Sequence, residues 1–247
     1  MERQSPYRDL QDNPPDTKIV GREIVTFDVI DSTNTHGLHH GRDGMVIVAD
    51  RQTAGRGRLG HTWHSAPGLG LWFTVVFEDK GDGLPFAAPL AVRDALAERC
   101  TLRVKWPNDL LLQNGKKVCG ILLERRNDIT VLGIGLNVHH ARDDFPPELQ
   151  DKAGSLESEL GGAWDRCEIL RDILTQLDGK VMLIRDQGVE PLRAPWAEAC
   201  GIIGRKIQCG KHMGTVVNID SHGALILNTG GGDQIIHSGA ITYLDED

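Results

Sequence analysis

The segment Gln52-Thr53-Ala54-Gly55-Arg56-Gly57-Arg58-Leu59-Gly60 decides how the rest of the chain is read. Its three glycines fit the G-x-G-x-x-G spacing of a dinucleotide-binding turn, which needs a strand before it and a helix opening directly behind. A strand candidate precedes it at residues 45–49. Behind it stands His61-Thr62-Trp63-His64-Ser65-Ala66-Pro67-Gly68, followed by a new apolar run at 71–77. That stretch, holding Pro and Gly, is too short for a crossover helix, which takes about a dozen residues. The dinucleotide fold is therefore excluded. What remains is a Gly-rich loop carrying two arginines. Glycine lets backbone N–H groups approach a ligand closely. Arginine offers a fixed fork of donors to phosphate or carboxylate. Taken alone, the loop fits an anion site and a solvated surface loop equally well.

Outward from the loop, apolar and β-branched runs at 23–30, 102–106, 109–112, 117–124 and 129–138 read as further strands. Asn114-Gly115 is the commonest hairpin dipeptide, so the sheet is antiparallel at least there. Residues 86–99 predict an alanine- and leucine-rich helix. Residues 168–185 put Ile169, Leu170, Ile173, Leu174, Leu177 and Val181 on one helical face, and Asp165 with Glu168 makes a capping-box-like start. A weaker helix spans 190–200. After Gly201 come five short strands, at 206–209, 214–219, 224–228, 233–237 and 240–244, which suggest a small all-β barrel. The first 18 residues, polar and bearing Pro6, Pro14 and Pro15, read as a loose lead-in.

Composition narrows the class. The chain has 247 residues, 40% hydrophobic and 25% charged, an ordinary globular balance. The net charge is 27 − 35 = −8, which argues against a general nucleic-acid binder. No apolar run reaches membrane-span length, and the N-terminal stretch has no signal-peptide core. Cys100, Cys119, Cys167, Cys200 and Cys209 are scattered without a C-x-x-C, so they read as reduced thiols. His36, His39, His40, His139 and His140 lack partners at metal-ligand spacing and read as solvated surface histidines.

Four more features carry candidate chemistry, each with a plain alternative. Lys105-Trp106-Pro107-Asn108-Asp109 sets a cation and a carboxylate about a rigid turn, which turn propensity alone explains. Lys117 precedes Val118-Cys119-Gly120-Ile121-Leu122-Leu123-Glu124, as any strand-end lysine does. Gly133-Ile134-Gly135-Leu136-Asn137 puts two glycines inside a strand, weakening it unless something must approach the backbone. Asp31-Ser32-Thr33-Asn34 ends the first strand where a helix N-cap does equally well.

Taken in order, Ser-Thr-Asn, Gln-x-x-Gly-Arg-Gly-Arg-x-Gly with Trp63 behind it, Lys-Trp-Pro-Asn-Asp, Lys117 with Gly-Ile-Leu-x-Glu, and Gly-Ile-Gly-x-Asn resemble the biotin protein ligases over about residues 24–245. The resemblance implies an α+β fold: a mixed, largely antiparallel sheet with helices, plus a small SH3-like β-barrel at the C-terminus. It implies a lead-in at 1–22, a catalytic domain at 23–200 and the β-domain at 201–247. It also implies a cytoplasmic ligase that makes biotinyl-5′-AMP from biotin and ATP, then biotinylates one lysine of a biotin carboxyl carrier domain.

By the family pattern, Ser32, Thr33, Asn34, Gln52, Arg56, Gly57, Arg58, Lys117 and Gly120 hold biotin. Arg56, Arg58, Trp63, Lys105, Asn108, Asp109, Lys117 and Asn137 hold ATP. Lys117, Arg58 and Asp109 carry the chemistry. Mg²⁺ arrives with ATP, with Asp109 the one protein ligand in view. Cys119 stands where family members commonly have a small residue such as Ala. The Gly55–Gly60 loop is expected to be poorly ordered until ligand folds it over the adenylate. Only about 22 residues precede the first strand, too few for the DNA-binding head of some members, so no DNA is expected as partner. A homodimer through a sheet edge stays open. So do two other readings: a lipoate or octanoate ligase or transferase of the same superfamily, and a non-catalytic biotin-binding regulator.

Overall fold

A computed structural model describes residues 6–244, so the outermost residues of the spans 1–22 and 201–247 lie outside it. In chain order these residues form α1 (Arg8–Asp12), β1 (Glu23–Ile30), α2 (Thr33–His40), β2 (Met45–Gln52), β3 (Gly70–Phe77), α3 (Leu84–Ala95), β4 (Arg103–Lys105), β5 (Asp109–Leu111), β6 (Lys117–Arg126), β7 (Ile129–Asn137), α4 (Leu156–Leu160), α5 (Arg166–Gln187), α6 (Glu190–Cys200), β8 (Lys206–Cys209), β9 (His212–Ile219), β10 (Leu225–Asn228), β11 (Asp233–Ile236) and β12 (Ile241–Tyr243).

The first seven strands make one mixed sheet in the order β1-β2-β3-β7-β6-β5-β4. β1 and β2 run parallel, and α2 is the crossover between them. All other neighbours in this sheet are antiparallel. β3, Gly-Leu-Trp-Phe-Thr-Val-Val-Phe, is buried at every residue, so it reads as a continuous apolar run rather than an alternating one. One face of the sheet shares its core with α3, α5 and α6. The other face carries α2 over Met45, Ile47, Val76 and Val131. The stripe predicted on α5 is buried as expected. Asp165 caps that helix, accepting from the backbone N–H of Cys167 at 2.7 Å and of Glu168 at 3.1 Å.

The lead-in is not loose from Tyr7 onward. Tyr7 and Leu10 are fully buried. The Asp178 carboxylate on α5 accepts from the backbone N–H of Lys18, Ile19 and Val20 at 2.7–2.9 Å. Arg166 donates to the Tyr7 hydroxyl, to Asp50 and to the Gly70 carbonyl. The few apolar residues of a polar segment thus fill the core, and its free N–H groups find a buried acceptor about 160 positions away.

The last five strands form a separate antiparallel sheet in the order β11-β10-β9-β8-β12. It is joined to the larger body by side chains that reach its turns. Trp106 Nε1 donates to the Gly223 carbonyl at 2.8 Å, and Arg193 donates to the Ile219 carbonyl. Among the described residues no helix is long and apolar enough to cross a membrane.

Candidate active site

A cavity of about 1070 Å³ lies over β6 and β7 of the large sheet, under the Gly–Arg loop. Every residue singled out for biotin, ATP or catalysis lines it: Ser32, Thr33, Asn34, Gln52, Arg56, Gly57, Arg58, Trp63, Lys105, Asn108, Asp109, Lys117, Gly120 and Asn137. The wall is completed by stretches with no motif, at 145–153 and at Gly239–Ala240–Ile241 of the small sheet.

At one end sit small neutral donors and acceptors. Ser32 is the N-cap of α2. The Thr33 N–H and hydroxyl both point at Gln52 Oε1, at 2.9 and 3.0 Å. Gln52 Nε2 donates to Ser65 Oγ at 2.8 Å. These groups are buried or half-buried, where hydrogen bonds select a ligand most sharply.

At the other end stand charges. The hairpin β5–β6, turned by Asn114-Gly115, brings Lys117 Nζ within 2.6 Å of Asp109 Oδ1. The contact is an ion pair without the angle of a hydrogen bond, because Oδ1 has no aligned donor. Two backbone bonds fix the lysine: its N–H donates to the Lys152 carbonyl, and its carbonyl accepts from Gly154 N–H. Arg58 Nη1 donates to Asn108 Oδ1 at 3.2 Å, so the Gly–Arg loop touches the Lys-Trp-Pro-Asn-Asp turn directly. Asn108 is itself held by the Ile121 carbonyl at 2.8 Å. Lys105 is exposed at the rim. The Asn137 amide donates to the Gly154 carbonyl at 3.0 Å and so ties the 145–153 wall to β7.

Between the two ends lies Trp63. Its indole rests on the backbones of Gly120 and Gly135, which face each other across β6 and β7. A methyl at Gly120 would lie 2.7 Å from the ring, and one at Gly135 would collide with Nε1. Gly133 makes room in the same way for the Asn34 amide. The two glycines inside β7 therefore mark two side chains that approach the strand. Lys117 Nζ stands 5.0 Å from the Trp63 ring centre, within cation–π range.

Motifs do not account for three residues. Glu124 belongs to Gly-Ile-Leu-x-Glu, yet the motif implies no role for it. It binds Arg56 and Asn34. Thr74, fully buried, links Thr33 to Asn34, and nothing in its apolar strand announces this. His140 is not the solvated surface histidine its sequence context suggests: it is 2% exposed, stacked on Phe145 and set edge-on to Trp72. Burial lowers its pKa to about 4. All five cysteines are free. Burial pushes the Cys119 thiol far up, so it stays protonated beside Lys117.

A sheet-floored cleft that sets two arginines and a lysine–aspartate pair beside a neutral polar pocket suits an enzyme that joins two anions. The model of the biotin/lipoate A/B protein ligase family matches residues 26–140. The chain is 33% identical over 245 residues to the bifunctional ligase/repressor BirA of Bacillus subtilis, covering 91% of this chain and 75% of that one. It is 34% identical over 236 residues to the biotin–[acetyl-CoA-carboxylase] ligase of Paracoccus denitrificans, covering 86% and 97%. Among solved structures, the biotin protein ligase from Aquifex aeolicus in complex with biotin and ATP aligns with a TM-score of 0.77 at 30% identity, over 90% of this chain and 98% of that one. This chain belongs to the biotin protein ligase family, and its enzyme class is ligase.

Proposed function

We propose that the protein joins biotin to ATP as biotinyl-5′-adenylate and passes the biotinyl group to a lysine of a biotin carboxyl carrier domain. The observation that carries this reading is the Lys117–Asp109 pair at 2.6 Å, held within one cavity with a neutral polar pocket and an indole platform. In the first step the biotin carboxylate attacks the α-phosphorus and pyrophosphate leaves. In the second, the acceptor amine attacks the acyl carbon and AMP leaves.

Ser32, Thr33, Asn34 and Gln52, with the backbone at Arg56, Gly57 and Arg58, take the ureido end. Gly120 leaves space along the strand. Lys117 and Arg58, with Lys105, offset the repulsion between carboxylate and triphosphate and follow the charge that develops at phosphorus, while the Arg56 guanidinium is paired with Glu124. Trp63 takes the adenine, Asn108 and Asn137 the nucleotide. Asp109 orients Lys117 and accepts the proton released by the acceptor amine.

Bound with the triphosphate, Mg²⁺ would supply positive charge against the phosphate oxygens. Among the described residues no group of three or more His, Cys, Asp or Glu is arranged to hold a metal. Mg²⁺ keeps waters and phosphates and asks for one or two carboxylates, so the triphosphate would hold it, with the Asp109 carboxylate lining the same cavity.

The same reading assigns 1–22 as lead-in, 23–200 as the catalytic domain and 201–247 as an SH3-like β-domain, in a protein that works in the cytoplasm. Biotin-dependent exchange of pyrophosphate into ATP tests the first step. A one-lysine mass shift on a carrier domain tests the second, with lipoate as the competing acid. Lys117→Ala is expected to slow exchange about 10²–10³-fold, a barrier of ~3–4 kcal/mol. Lipoate incorporated in place of biotin, or an unchanged rate in the variant, refutes the assignment.

A further inference from the structure

We infer that Glu124 is a positioning residue that clasps the Gly–Arg loop to the biotin-recognition residues through a closed ring of hydrogen bonds. The proposal deepens the function proposed above and rests on it. Arg56 donates to both Glu124 oxygens, at 2.9 and 3.2 Å, and to Thr35 Oγ1 at 2.6 Å. The Asn34 amide donates to Glu124 Oε2 at 2.8 Å. Thr74 Oγ1 lies 2.6 Å from Asn34 Oδ1 and 2.8 Å from Thr33 Oγ1. Thr33 meets Gln52, Gln52 meets Ser65, and Ser65 donates to the Trp63 carbonyl at 3.2 Å. Trp63 N–H donates to the Gly55 carbonyl at 2.9 Å, one residue from Arg56, and the ring is closed.

Both stems of the loop thus hang on one polar circuit. Its buried part is Asn34, Thr74 and Thr33, and its outer part is the Arg56–Glu124 ion pair. An ordinary exposed ion pair contributes little. Here one guanidinium nitrogen is shared by both carboxylate oxygens while the other holds Thr35, and the carboxylate also holds a buried amide, where partners polarise one another. Thr74 has a single proton for two acceptors. A biotin ureido group that engages Thr33 or Gln52 competes for the hydroxyl protons of that chain as far as Thr74. Glu124 also neutralises Arg56. The loop's two arginines therefore divide their work: Arg58 faces Asn108 and the anions, whereas the Arg56 side chain pins the loop.

The test compares the intact chain with Glu124→Gln, Arg56→Gln and the double variant. Gln keeps an acceptor for Asn34 while removing the charge, so the core contact survives. Limited trypsinolysis, with cleavage after Arg58 read by mass spectrometry, reports the loop without any need for activity. Pyrophosphate exchange reports biotin KM and kcat separately. Each single variant is expected to speed cleavage at least tenfold and raise biotin KM at least tenfold, with kcat for Glu124→Gln within threefold. The double variant is expected to be no worse than the worse single. Changes below threefold in cleavage or KM, or effects that multiply in the double variant, overturn the clasp. A native chain that lacks biotin-dependent exchange would instead sink the proposed function, and the cleavage comparison would still stand on its own.

Discussion

His140 makes acid stability measurable at a single side chain. The ring is buried against Phe145, with centres 4.7 Å apart and planes at 13°, and Nδ1 has no partner. Burial is the main cause of its lowered pKa. His139 and His64 add to the effect, while Asp144 and a bond to the Leu69 backbone oppose it. The value falls from 6.5 to about 4. The folded state therefore binds fewer protons than the unfolded chain between these two values, and stability rises with pH across that window. The contribution is fully present above the unfolded value and is lost as pH falls through the window. From pH 8 to pH 5 the linkage amounts to about 2 kcal/mol, approaching ~3 kcal/mol below pH 4. His140→Phe keeps a ring against Phe145 and Trp72 but removes the titration. Urea unfolding at pH 8, 6 and 5 is the assay. The native chain should lose about 2 kcal/mol more than the variant over that range, whatever the two absolute values are. Parallel losses in the two proteins would refute the argument. Because Phe145 lines the cavity, acid opening of this wall should also lower activity ahead of global unfolding.

Two further outcomes follow from contacts described above. Trp106→Phe removes the indole donor to the Gly223 carbonyl while keeping the buried ring. With a net bond of ~1 kcal/mol, amide exchange in β8–β12 should quicken about fivefold while β3 is unchanged, and equal rates in both sheets would contradict this. Gly135→Ala drives a methyl into the Trp63 indole, an overpacking cost of about 1–3 kcal/mol. ATP KM should rise at least tenfold with biotin KM within threefold, and an unchanged ATP KM would remove Trp63 from its platform role.

The legible parts of this protein are those whose cause is local. The β5–β6 hairpin follows from Asn114-Gly115, the α5 stripe from its spacing, and the helix start from Asp165. The glycines of β7 announced that something approaches the strand, yet they did not say what. Asn34 and Trp63 lie far back in the chain, and only the folded sheet brings them over Gly133 and Gly135. α2 shows in the sequence only as a candidate N-cap. Thr-Asn-Thr-His-Gly-Leu-His-His has no apolar period and a glycine in its middle. That glycine is what lets the helix lie against Val76 and Val131, so the feature that weakens the local signal is the one packing requires. Glu124, Asp178 and His140 follow the same logic. Each looks like an ordinary surface residue until a partner arrives, and for Asn34 and Glu124 the partners are 90 positions apart. Motif order was enough to gather the residues that face a ligand, because they share one cavity. Of the residues that hold those groups in place, Thr74 carries no motif, and Glu124 stands in one that does not announce its partners. Their function is defined by a neighbour rather than by a substrate, and a change on either side of the pair serves equally well provided the contact survives.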